Sequence, residues 1–356
     1  MSYFPVLRHS NAEIGAYSNL KEETKKAIIP IIESRRIATS NRSKWWETFK
    51  TIGTYFKKTF EDREFIYDFR QAFDFIGSPN NQLLSDKGVD LVSYCSQKFK
   101  EQGLNYIPAF HFDSADWYVE AIAKSNPDKI AVRIRCWSFD EVLDSIIFDR
   151  VDTIIKKYFD NAVKKFIIID FFDKISNATR IESAVEVFTK LQNATPIICL
   201  SSCPANADKA KPMTFNKIAP RSDFATYLKL KQKHRSLLYS DYTVRLTPEP
   251  DEGKKIKQEN TYLKVFYTTS DSYMVGKSTL IKDNGIETFV KVCNEIILSK
   301  AYNGKNFSDG DKAIHDGAHR KIVIKSHNKL IEYGISHHIE FTINYFRQNS
   351  LVLREV

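Results

Sequence analysis

The chain has 356 residues, 42% hydrophobic and 13% aromatic, which excludes a disordered polypeptide and provides for one large core. Against 44 acidic residues stand 53 Lys and Arg, a formal charge of +9 that suits either an anionic partner or a solvated basic surface with clusters such as Lys254, Lys255 and Lys257. No run approaches the ~20 apolar residues that cross a bilayer, MSYFPVLRHSNAEIG lacks the basic head and apolar stretch of a signal peptide, and the five scattered Cys suit buried thiols in a reducing compartment, so a cytoplasmic protein with no membrane partner is expected.

Short apolar runs recur along the chain at 3–8, 28–33, 64–70, 106–111, 130–135, 166–170 and 196–202. They are rich in Val, Ile, Phe and Tyr and lack helical periodicity, so they read as buried strands. Helix-length segments separate them: 16–27, the aromatic amphipathic stretch 41–58, 86–101, 114–124, a helix opened by the Ser138-x-x-Glu141 capping signature, 149–164 and 180–192. Residues 73–81 read as a rim loop and 203–220 as a second, longer one. A helix at 224–235 then leads to the candidate eighth strand, 240–245. After Thr247 the texture changes. Residues 248–260 are charged and turn-rich, TYLKVFYTT and SYMVGK form a hairpin, 286–298 is helical, and LIEYGISHHIEFTINYF is a closing helix.

Seven successive strand–helix units and an eighth candidate strand predict a TIM-barrel-like parallel (β/α) domain over 1–247, with a hairpin and helices over 248–356 packed on it. In such a barrel the side chains at the carboxyl ends of the strands converge on one rim. That rim would carry Arg8, Glu33, Asp68, Arg70, His111, Arg133, Arg135 and Asp170. Glu33, Asp68, His111 and Asp170 are the candidate catalytic groups, because carboxylates and imidazole move protons. Arg8, Arg70, Arg133 and Arg135 are the candidate anion-binding groups, since a guanidinium offers a fixed fork of donors. Arg133 and Arg135 share a face, and so do Asp68 and Arg70. An inward face would place them in a site and an outward face would pair them with helices; the structural alternative is that these Arg form buried or rim salt bridges that stabilise barrel closure. Asp170 could ligate a metal, act as a base or anchor an Arg. His111 could equally be a structural partner of a carboxylate.

Other signals carry less. Cys199 and Cys203 have the spacing of half a zinc site, but the chain has no second half. His315 and His319 are four apart with Gly317 between them, and the adjacent His337 and His338 suit packing better than joint ligation. Gly276-Lys277-Ser278 lacks the upstream glycines of a phosphate loop. Ser201, Ser202 and Cys203 lie in no nucleophile elbow. No metal site and no cofactor are expected, apart from a weakly held divalent cation on the carboxylates. A sugar site would need an aromatic platform, which the sequence does not place.

The motifs YFPVLR, IIPIIES, IIIDF, YSDYTV around Asp241, KVFYTT with YMVGKS, and YGISHHI resemble the Beta protein family of bacterial mobile elements and phage satellites, over nearly the whole length. The resemblance implies a phage-defence or immunity role beside a killing gene whose toxicity it limits. It supplies no catalytic residues. Two functions are therefore open. One is a defence component that binds a protein from its own locus, or else a nucleic acid or nucleotide. The other is a barrel enzyme acting on a phosphorylated or otherwise anionic substrate.

Overall fold

The computed structural model describes residues 3–37, 39–74, 84–244 and 257–349. Parallel strands β1 (Tyr3–Arg8), β2 (Ile31–Glu33), β3 (Phe65–Asp68), β4 (Tyr106–His111), β5 (Lys129–Arg135), β6 (Lys164–Phe172) and β7 (Ala194–Leu200) pair in sequence order. Strand β8 (Thr214–Pro220) lies outside this sheet. Strand β9 (Leu238–Asp241) closes it by pairing with β7 on one side and β1 on the other. The result is a closed eight-stranded parallel barrel with helices between its strands, the TIM-barrel-like fold.

Strand alternation divides each strand between two cores. Phe4, Val6, Ile31, Ile66, Ala109, Ala131, Ile168 and Ile197 form the cluster inside the barrel. Their neighbours Leu7, Ile32, Tyr67, Phe110, Val132, Ile167 and Ile198 face outward into the larger core beneath the helices. This explains the unbroken Ile run of β6, whose faces are both buried.

Several boundaries differ from the sequence reading. The expected helix at 16–27 is two helices, Asn11–Ser18, capped by Ser10, and Glu22–Lys25. Ser138 caps nothing. Its hydroxyl donates to the Arg135 carbonyl at 2.8 Å, and the helix runs Asp144–Tyr158, with short 3-10 turns before it. Local side-chain bonding to an upstream carbonyl has outcompeted the capping geometry there. Residues 203–220 are not only loop, because they contain β8. Arg70 is not on β3 but opens the helix Arg70–Asp74. The eighth strand begins two residues earlier than expected and ends at Asp241, four residues short of 245; Arg245 lies outside the described residues, as do Lys254, Lys255 and most of 73–81.

The carboxyl-terminal part holds the expected hairpin, β10 (Tyr262–Thr268) and β11 (Ser272–Leu280). β8 adds to the far side of β11, giving an antiparallel sheet in the order β10–β11–β8. Helix Gly285–Leu298 packs closely on it: a Cβ at Gly276 would stand 2.6 Å from a Val292 methyl carbon. The last helix, His327–Gln348, puts Ile335, Ile339, Ile343 and Phe346 into the same core as Tyr3 and Tyr239 of the barrel. No helix of the described residues is long and apolar enough to cross a membrane.

Candidate active site at the barrel mouth

The inward parity of the strands decides which rim residues meet. Arg8, Glu33, Asp68, His111, Arg133, Arg135 and Asp170 all continue the inward-facing series of their strands, and the first five together with Asp170 are buried. Arg133 of β5 sits at the centre. Its Nε donates to Asp170 Oδ2 at 2.9 Å, Nη1 donates to Glu33 Oε1 at 3.0 Å and Asp68 Oδ2 at 2.8 Å, and Nη2 donates to the Tyr242 hydroxyl at 2.5 Å. Tyr242 in turn donates to Asp170 Oδ2 at 2.7 Å. One guanidinium thus ties together β2, β3, β5, β6 and the residue after β9. Most of its donors are spent on the protein itself.

Around this centre the remaining groups are individually held. His111 Nε2 stands 3.0 and 2.9 Å from the two Asp68 oxygens, while its buried Nδ1 meets no partner among the described residues. Asp68 Oδ1 also accepts the Arg70 backbone N–H at 2.9 Å. Glu33 Oε2 accepts from Gln71 Nε2 at 2.7 Å. Asp170 Oδ1 accepts the Phe172 N–H at 2.9 Å, and Phe172 has φ of 51°. The same device recurs after β9. Asp241 Oδ1 accepts the Thr243 N–H at 2.9 Å, and Thr243 has φ of 53°. Both turns hold a residue other than glycine in the left-handed region, a strained conformation that clusters at functional sites. Here the pair brackets Phe172 and Tyr242, whose rings meet edge-on at 5.0 Å.

Electrostatics separates two of the carboxylates. Burial pushes the Glu33 carboxyl up, and the neighbouring Asp68 charge adds to this, against the pull of Arg133 and Arg8. Asp68 is equally buried, but the His111 imidazole and Arg133, with the Arg70 backbone N–H, overcome the burial and hold it far below the usual carboxylate range.

The other basic candidates form a second group. Arg70 Nη1 and Arg135 Nη2 donate to the two oxygens of Asp113, at 2.9 and 3.2 Å. Arg8 is buried near Glu33, and its backbone N–H donates to Glu13 Oε2 at 2.6 Å. The structure therefore brings Glu33, Asp68, His111, Arg133 and Asp170 into one hydrogen-bonded network and places Arg70 and Arg135 beside it. Among the described residues no group of three or more His, Cys, Asp or Glu side chains is placed to hold a metal; the three carboxylates aim at Arg133 instead.

Sequence reasoning missed Tyr242, Gln71 and Asp113. Tyr242 had a signal: it keeps the parity of Ser240, so a strand through 240 points it inward. The others sit on helix starts and turns, where no period predicts direction.

A family model, Beta protein, matches residues 3–344. The chain belongs to the Beta protein family. No curated protein matches it. Among solved structures, similar chains include a cube-shaped, porous cage designed by fusing symmetric oligomeric domains, at 7% identity and TM-score 0.30, covering 66% of this chain and 73% of that one. Another is the spore cortex-lytic enzyme SleL of Bacillus megaterium, at 7% identity and TM-score 0.30, covering 82% of this chain and 68% of that one. Likenesses this distant say nothing of function.

Proposed function

We propose that this Beta protein family member is a barrel enzyme that performs general acid–base chemistry on an anionic substrate at the carboxyl ends of its strands, in the service of a mobile element's phage defence or immunity. The observation that carries this reading is the opposed pair on one guanidinium nitrogen. Arg133 Nη1 holds both Glu33 and Asp68, and their environments push one carboxyl up and the other down. Two titratable groups driven apart at the catalytic end of a barrel are the arrangement that divides acid from base. Glu33, the most exposed of the three carboxylates, is the proton donor. Asp68 stays ionised and orients His111, whose Nδ1 is the proton acceptor. Asp170 and Arg133 hold the frame. Anion binding falls to Arg8, Arg70 and Arg135.

A second reading, attachment to a protein of the same locus, is supported by one surface feature. Val142 and Ile146 are 81% and 62% exposed, with Leu143 between them, at the turn that opens helix Asp144–Tyr158. An apolar group so exposed suits a protein contact.

One genetic experiment separates the readings. In a host carrying the element and its neighbouring genes, deletion of this gene is expected to change phage plating or host growth. Complementation with Glu33→Gln, which keeps the shape and bonding capacity of the side chain, is expected to fail, although the protein expresses and gives a wild-type circular dichroism spectrum. Complementation with Val142→Asp/Ile146→Asp is expected to succeed. The reverse pattern would establish binding over catalysis, and a deletion without phenotype would count against both.

A further inference from the structure

The mouth contains one arrangement that the acid–base network does not use. Past Arg135 the chain turns through Cys136–Ser138, and Trp137 emerges 39% exposed. Its ring centroid lies 5.9 Å from that of Phe172, which packs on the cluster inside the barrel and meets Tyr242 edge-on. Three rings therefore lead from solvent down to the buried hydroxyl that touches Arg133 and Asp170. Beside the outermost ring stands the Arg135 guanidinium, 5.5 Å from the Trp137 centroid. It holds Asp113 by a single 3.2 Å bond through Nη2, and its Nε–H, which is buried, meets no acceptor among the described residues.

Each half of this arrangement alone has a bland explanation. An exposed Trp can be a neutral-sugar platform, and a rim Arg can be a salt bridge. The combination is more selective. A neutral sugar has no use for a guanidinium with spare donors, and inorganic phosphate has none for an indole face. A flat ring carrying a phosphate uses both, because bases stack on aromatic faces without regard to sequence and a guanidinium matches phosphate geometry.

We propose that the mouth binds a nucleoside monophosphate unit, its base stacked on Trp137 and its phosphate held by Arg135 with Arg70 alongside. This deepens the acid–base reading and rests on it, since it names the substrate class for that site. The unit is either a free nucleotide or the phosphorylated end of a single strand; both present the same base and phosphate.

The test uses the full chain and calorimetric titration with AMP, GMP, CMP and UMP, with adenosine and ribose 5-phosphate as the two half-ligands, and with a 5′-phosphorylated oligothymidylate. Nucleotides are expected to bind, and each half-ligand to bind more weakly. Trp137→Ala is expected to weaken AMP by roughly 5- to 150-fold, the loss of one base stack. Arg135→Gln is expected to weaken AMP while leaving adenosine unchanged. Both side chains are partly exposed, and circular dichroism verifies that the variants fold. Tighter binding of the oligonucleotide than of any nucleotide assigns the site to strand ends; equal or weaker binding assigns it to free nucleotides. No heat with any nucleotide at millimolar concentration would overturn the proposal. So would ribose 5-phosphate matching AMP in affinity with Trp137→Ala unaffected. Failure here with Glu33→Gln still inactive in the host would leave an acid–base enzyme of another substrate. Nucleotide binding with Glu33→Gln fully active would retire the acid–base reading instead.

Discussion

Arg133 is itself 3% exposed and joins three carboxylates and a phenol, so its own removal is costly. Arg133→Met would leave Glu33, Asp68 and Asp170 buried without their common counter-ion, and stripping one member from a buried ion network costs about 3–5 kcal/mol. Denaturant titration is expected to show a loss of that order. Arg133→Met/Asp170→Asn should recover part of it, because one buried charge has been removed with its partner. A loss under ~1 kcal/mol, the range of an exposed pair, would mean that the network does not frame the site. At this scale the sequence was legible in part. It marked the strand-end residues, but it could not show that Arg133 spends its donors on protein groups, because that depends on which strands face each other across the barrel.

The elements that set the site include one from the far end of the chain. His338 of helix His327–Gln348 stands 2.9 Å from Asp241 Oδ2 through Nε2 and 2.8 Å from the Thr268 hydroxyl through Nδ1, and the Tyr3 hydroxyl donates to Asp241 Oδ1 at 2.7 Å. Asp241 faces outward at the end of β9, so its neighbour Tyr242 faces inward onto Arg133. The closing helix thereby fixes the strand end that delivers Tyr242. Burial alone would raise the Asp241 carboxyl, but the His338 imidazole, the Arg221 guanidinium and the Tyr3 hydroxyl outweigh it and hold it at about 2. An unfolded Asp titrates near ~3.9. A folded value below the unfolded one means stability that is present above about pH 4 and lost as pH falls toward about 2, roughly 2–3 kcal/mol in all. Acid unfolding followed by circular dichroism should therefore show a shallower acid limb over that window in Asp241→Asn than in the wild type. Parallel limbs would show that the pair carries no such linkage. The sequence placed His337 and His338 as packing residues beside the barrel; His338 is there, whereas His337 bonds Asp311 and the Thr268 carbonyl and stacks on Tyr267 of the carboxyl-terminal sheet. The Asp241 partner of His338 comes from 97 positions away and no local pattern announces it.

Across the whole molecule the barrel, its seven leading strands and the hairpin were legible because each rests on short-range periodicity. Strand β8 was not. TFNKIAP is half-exposed along its length, lacks an alternating apolar face, and is a strand only because the edge of β11 accepts it. It also makes one sheet from residues on both sides of 247. Long-range packing is equally hidden for Ile335, Ile339, Ile343 and Phe346, which complete the barrel's outer core. A fragment of residues 1–247 loses these side chains and the β11 edge on which β8 pairs, so it is expected to lack a cooperative unfolding transition and to be degraded rapidly in limited proteolysis. A fragment that melts cooperatively near the full chain's midpoint would show the barrel to be independent of the carboxyl-terminal sheet and helices.

Acid–base chemistry at this mouth requires an acid and a base separated by their surroundings. That separation is read most directly by a site-resolved carboxyl titration by NMR on protein labelled at the Glu and Asp side-chain carbons, with Glu33→Gln and Asp68→Asn assigning the two signals. The Glu33 carboxyl is expected to titrate above the ordinary Glu value of about 4.3, and the Asp68 signal to stay ionised well below the ordinary Asp range. Two carboxyls titrating together at ordinary values would contradict the division of acid from base.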